Sequence, residues 1–296
     1  MKKPLVHIIL VNYNGTEDTI VCINSIKLSS YMNIVIDVVD NDSEQDSLKK
    51  LKTQFADDEY VNLIFNSSNV GFAAANNIGI KYAKDDNAEV IVLLNNDTVI
   101  ESETIANLVA VVSGEKRSVF TGKILYHSKP DTIWYAGGLY DFYKGTTHHI
   151  GCNRLDSKKY DIERNVGFAS GCYLAFRTSD IDIIGLLPEE YFLYSEDVDY
   201  SLHIINAGYS ILYIPQSRVY HKVSASVQKQ SGLANYYMQR NRLKVIKKYH
   251  HGLKKISAYC YTMLVFIKAC AKGSTNIDSV LRSFRDFRKG VEGKTY

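Results

Sequence analysis

The sequence predicts an α/β chain, a sheet flanked by helices over residues 1–228, followed by a basic helical tail over residues 229–296. Three observations carry this. Through the first hundred residues, apolar runs of strand length alternate with segments of helical spacing. Clusters of Asn, Asp and Ser follow the first, second and fourth of those runs, at the edge where open α/β sheets bind ligands. Charge is also divided, with the first 228 residues near −9 and the last 68 near +12.

Residues 5–11 form an unbroken apolar run ended by Asn12-Tyr13-Asn14-Gly15, as a strand covered on both faces requires. Residues 16–28 carry Ile20, Ile23 and Ile26 at helical spacing. Residues 33–39 read as a second strand, 60–65 as a third, 71–84 as an Ala-rich helix and 89–94 as a fourth strand. Further on, 119–126, 134–143 and 168–177 read as strands, with Gly137-Gly138 a break and Gly171 a site of close backbone approach. A helix is expected over Glu196–Asn206, stopped by Gly208, and a last strand over 209–214, closed by Pro215.

With 46% hydrophobic and 23% charged residues, the chain can bury a sizeable core. Its 22 tyrosines suit sugar-binding and membrane-interface surfaces alike. The five cysteines are odd in number and lack C-x-x-C spacing, which argues against a disulfide framework or zinc site and for a reducing, cytoplasmic setting. The apolar run after Met1-Lys2-Lys3 contains His7 and lacks a small-residue cleavage site, so it reads as a strand rather than a signal peptide. No run reaches transmembrane length. The basic tail implies an anionic partner surface, and because no recognised nucleic-acid module accompanies it, nucleic acid is not the expected partner.

Five segments then combine: Val11–Gly15, Val39–Ser43, Asn69–Asn77, Leu94–Thr98 and Glu196-Asp197-Val198-Asp199. In order and spacing they resemble the family 2 glycosyltransferases, particularly bacterial rhamnosyltransferase-like enzymes of surface-polysaccharide assembly. The resemblance covers roughly residues 5–245 and implies a GT-A-type nucleotide-binding mixed sheet. It also implies an inverting transfer from a nucleotide-diphosphate sugar, rhamnose first, to a hydroxyl of a glycan or lipid-linked acceptor.

On that resemblance, Asn95-Asn96-Asp97 occupies the place of the family's acidic metal motif. A divalent cation, Mg2+ or Mn2+, would neutralise the departing diphosphate there. Asn95 stands where the family has a first aspartate, so only Asp97 supplies charge. His221, 24 residues after Asp197, is similar in placement to a metal-binding histidine of related galactofuranosyltransferases. Asp197 is implied as the base that takes the acceptor proton, with Glu196 or Asp199 orienting it or touching the acceptor. Acids after Ser195 would equally favour a helix N-terminus. Asp40 is implied to contact the nucleotide's base or ribose, Asn12, Tyr13 and Asn14 to stack beside and cap the base, and Asn69, Gly71 and Asn76 to line the diphosphate-sugar channel. Gly71 also fits a plain helix start, and Trp134, a candidate acceptor wall, also fits a core position.

In the tail, Tyr236, Leu243, Ile246 and Tyr249 share a helical stripe among Arg and Lys, and residues 256–267 add an apolar segment. The pattern suits a helix on the anionic inner face of the cell membrane, making the protein peripheral there. It also suits a helix packed on the core or on a sister subunit of a homo-oligomer. A sugar nucleotidyltransferase is the rival enzyme, but the glycine-rich basic loop it needs near the first strand is absent. A non-catalytic glycan- or membrane-binding module would need no paired acids at Glu196-Asp197.

Overall fold

The structure is a computed structural model and describes residues 3–223, 231–273 and 275–295. The boundary expected between residues 228 and 229 lies outside the described residues.

Four strands, β1 (Val6–Asn12), β2 (Ile34–Asp40), β3 (Val61–Phe65) and β4 (Val90–Asn95), run parallel in the order β4-β1-β2-β3. Helices α1 (Thr16–Lys27), α2 (Gln45–Phe55) and α3 (Phe72–Asp85) connect them. Apolar residues dominate β1, β2 and β4 because helices cover both faces of a parallel sheet. The register sets Asn12 beside Asp40 and Val11 beside Asn95, so the three carboxyl ends are flush. That alignment gathers the polar clusters at one edge.

The sheet continues past β4 in mixed sense. A short strand, β5 (Thr98–Ile100), precedes α4 (Thr104–Val112). Then follow β6 (Ser118–Tyr126), β7 (Lys129–Tyr135) and a separate hairpin of β8 (Gly138–Asp141) and β9 (Thr146–His149). The strand expected over 134–143 is thus two strands, because Gly137 at φ 96° turns the chain. After β10 (Arg164–Val166), β11 (Tyr173–Arg177) lies antiparallel to β4, so its start sits at the same edge as the carboxyl end of β4.

A short α5 (Ile181–Ile184) leads to α6 (Glu196–Asn206) and β12 (Ser210–His221). Pro215 does not close β12. It falls where the β12–β6 register is irregular, between Ile214 and Arg218, so the missing N–H breaks no ladder bond and the strand runs on to His221.

The tail forms α7 (Ser231–Tyr249), α8 (Gly252–Ala271) and α9 (Ile277–Lys289). The expected stripe on α7 faces the protein. Tyr236, Leu243 and Ile246 are buried, and Tyr249 donates to Asp199 on α6. The apolar side of α7 is therefore spent on packing and is not available to a leaflet.

Candidate active site

The edge made by β1, β2 and β4 is knit together before any ligand is considered. Asn12 is fully buried; its amide donates 2.6 Å to Asp40 Oδ2 and 3.2 Å to Ser43 Oγ, and its oxygen accepts from Thr19 Oγ1 at 2.9 Å. Asp40 is also buried, its other oxygen accepting from Ser43 N at 2.9 Å. Asn96 donates 2.9 Å to Thr19 Oγ1 and longer bonds to Asn12 and Gly15. A buried amide with both ends satisfied is framework, which corrects the expectation that Asn12 caps a base. Tyr13, 49% exposed, stands at the mouth. Asn14, at φ 54°, accepts from Glu44 N and ties the first loop to the second.

The 66–71 loop is shaped by a residue that no sequence expectation singled out. Asn41 is buried, accepts from Val70 N and Asn66 Nδ2, and donates to Asn69 Oδ1 at 3.0 Å. Asn69 accepts also from Gly71 N. Gly71 sits at φ 88°, ψ 171°, and a Cβ there would lie 2.5 Å from the Phe192 carbonyl oxygen. The close approach that requires glycine here is to that protein backbone. Asn76 is buried and its side chain donates to Phe72 O within α3.

Asp97 and His221 meet across β5 and β12. Their side chains are 3.0 Å apart and largely buried, and Lys222 N donates to Asp97 O. Burial disfavours the charged imidazole, but Cys172 and Asp97 beside it outweigh this and raise it to about 10. Trp134 packs edge-on against His221, ring centroids 4.8 Å apart, and so walls this pair. The Cys172 thiol is the imidazole's other polar neighbour. One carboxylate and one imidazole fit a divalent cation, which would displace the shared proton. Among the described residues no cluster of three or more His, Cys, Asp or Glu stands ready to hold a metal. Diphosphate oxygens, water and the half-buried Asn95 are what remain to complete a coordination sphere.

Asp197 lies in the first turn of α6. Its Oδ2 accepts from Gly171 N at 3.0 Å and its Oδ1 from Val198 N at 2.8 Å. Burial raises its pKa and those two N–H groups pull it back. Glu196 beside it is buried, its Oε2 without a hydrogen bond; burial first, and the Asp197 charge second, push it up to about 8. Glu196 is therefore the member of the pair that holds a proton more tightly, while the Asp197 carboxylate is the one met by hydrogen-bond donors. The Cys172 thiol, just before β11, is close enough to Asp97 and to Asp197 to feel both charges.

The turn into α6 is held from the tail. Tyr194 and Ser195 are consecutive left-handed residues, φ 67° and 73°. Asn241 of α7, fully buried, donates to Leu193 O at 2.9 Å and to Tyr194 O at 2.8 Å. Asp199 is not an acceptor contact. Its buried carboxylate accepts from Tyr191 OH, Tyr249 OH and Lys248 Nζ, and so bolts α6 to α7.

The model of the family described as "Glycosyl transferase family 2" matches residues 7–185, more than half the chain. The chain is 26% identical over 230 residues to the dTDP-rhamnosyl transferase RfbF of Shigella flexneri, covering 74% of this chain and 72% of that one. It superimposes on GalNAc-T7, solved with UDP, GalNAc and Mn2+, with a TM-score of 0.66 at 17% identity, over 83% of this chain and 48% of that one. It also superimposes on the mannosyltransferase PcManGT from Pyrobaculum calidifontis, solved with GDP-Man and Mn2+, with a TM-score of 0.58 at 14% identity, over 98% and 84%. These likenesses show the fold, the GT-A-type mixed sheet that the motifs imply.

Proposed function

From the chain's membership of glycosyltransferase family 2, we propose that it transfers a sugar, with inversion, from a nucleotide-diphosphate donor to a hydroxyl of a glycan or lipid-linked acceptor in polysaccharide assembly. Similarity to the Shigella dTDP-rhamnosyl transferase favours rhamnose on a thymidine diphosphate donor. The work is done at the cytoplasmic face of the cell membrane. The observation that carries the reading is the Asp197 carboxylate, which accepts from Gly171 N and Val198 N beside a buried Glu196 that burial pushes up to about 8, with Cys172 close to both Asp197 and Asp97.

In one displacement the acceptor oxygen bonds to the anomeric carbon while its proton passes to the Asp197 carboxylate. The bond from that carbon to the diphosphate oxygen breaks, and nucleoside diphosphate leaves. Glu196, neutral, adds no second negative charge to oppose the base. Asp97 and His221 would hold a divalent cation, supplying Lewis-acid neutralisation of the leaving diphosphate. Tyr13 is exposed and can lie against the nucleotide base, while Asp40 and Asn12 set the wall behind it.

Turnover of a panel of nucleotide sugars, with and without Mn2+ or Mg2+, tests this in wild type, Asp97→Ala and Asp197→Asn. One donor turned over only with metal, and lost in both variants, supports the reading. Donor binding is measured calorimetrically on the same samples, since turnover can require the acceptor. Absence of binding to every nucleotide sugar would overturn the proposal.

A further inference from the structure

Helix α8 carries an outward face that sugar transfer does not use. Its inward side is Ala258, Thr262 and Phe266, all buried, with Phe266 edge-on to Phe284 of α9 at 5.6 Å between centroids. At 100° per residue, the opposite side presents Leu253, Ile256, Leu264 and Ile267. These four are 61–81% exposed. Aliphatics scattered singly over a surface need no explanation, but four aligned on one helix do.

The stripe has a charged margin. Lys254, Lys268 and Lys272 lie along one flank, and the chain has no Asp or Glu from Lys229 to Ile277. Against the first turn of α8 sits the tip of the β8–β9 hairpin, where Lys254 Nζ lies 5.6 Å from the Phe142 ring centre and 5.7 Å from that of the exposed Tyr143. Aliphatic stripe, lysine flank and aromatic rim are the parts of a helix that lies in a membrane interface. Among the described residues, no helix is long and apolar enough to cross a membrane.

We propose that the outer face of α8, with the Phe142–Tyr143 tip, docks flat on an anionic phospholipid bilayer, the stripe at the acyl boundary and the lysines against lipid phosphates. A second copy of the chain fits less well, because an isologous contact would set this lysine-rich face against itself. The hairpin follows directly on β7, whose Trp134 walls His221, so the docking element continues into the wall of the candidate site. The inference stands independently of which sugar is transferred.

The test is flotation of the full chain with vesicles of mixed phosphatidylglycerol and phosphatidylcholine, and with phosphatidylcholine alone. Binding is expected to the mixed vesicles, weakening about tenfold or more on phosphatidylcholine alone or in high salt. Ile256→Ser with Leu264→Ser should lower it by at least about tenfold, whereas Leu28→Ser, at an exposed aliphatic on the far side of the sequence, should leave it unchanged. Thermal unfolding verifies the fold of each variant. Should the double variant not fold, Lys268→Gln with Lys272→Gln keeps the stripe and must still weaken binding to the mixed vesicles. Equal flotation on both vesicle types, or flotation indifferent to these changes, overturns the proposal. So does a dimer in solution that Leu264→Ser splits while no vesicle is bound.

Discussion

The side-chain amide of Asn241 donates 2.8 Å to the carbonyl of Tyr194, 47 residues earlier in the chain, and fixes the left-handed turn that aims Asp197. Asn241→Ala removes two donors from that turn, and Asn241→Asp sets a carboxylate against two carbonyls. Both variants should lose turnover by roughly 10- to 100-fold while donor KM moves by less than about threefold, since orientation rather than binding is lost. Steady-state kinetics on the donor that the nucleotide-sugar panel selects decides this. A KM effect with turnover intact would assign Asn241 to binding.

Glu196 gives the protein a pH-dependent stability. Its folded pKa, about 8, lies above the ordinary value of 4.5, so the folded state holds the proton more tightly than the unfolded chain. The stabilisation is full below the unfolded value and is lost as pH rises through about 8. Glu196→Gln mimics the protonated form at every pH. Its melting temperature should match wild type near pH 5 and exceed it progressively toward pH 9, read by scanning calorimetry.

Gly71→Ala should cost at least about 2 kcal/mol, because ψ 171° at φ 88° is nearly restricted to glycine and the new Cβ would meet the Phe192 carbonyl. Urea unfolding measures the loss. Activity should fall further than stability, since Phe192 begins the segment that ends in Asp197.

Asp199→Ala leaves two tyrosine hydroxyls and Lys248 facing a void where the carboxylate stood. Removal of one partner from this network should cost about 3 kcal/mol, and Asp199→Asn about half as much, by urea unfolding. Donor KM should be unaffected in both variants, since the carboxylate is buried and its hydrogen bonds go to Tyr191, Lys248 and Tyr249.

The strands and the site edge were legible because parallel strands need unbroken apolar runs and their ends need polar turns. Composition could not tell which polar residues of a turn face solvent. Asn12 and Tyr13 are neighbours, yet one is fully buried and the other half exposed, because Asn12 is the last residue of β1 and Tyr13 already belongs to the loop beyond it. The helical period likewise revealed apolar stripes in the tail without revealing their cover. On α7 the cover is the protein itself, whereas on α8 the outer stripe is exposed. Asn41 and Asn77, inside the motif segments, and Asn241 in the tail carry no role in the sequence reading because their partners are distant in sequence. Asn77, for example, bonds the Leu187 backbone 110 residues away. The one local hint was an Asn in the interior of a helix, a poor helix former that needs another reason to be there.

The Asn241 and Lys248 clamps also set an order of events during synthesis. Both lie nearly fifty residues downstream of the groups they hold, Tyr194 and Asp199. While the ribosome is still translating the tail, the nascent chain can assemble its sheet but has nothing to close the turn before α6. A chain released after β12 would lack both clamps on the start of α6.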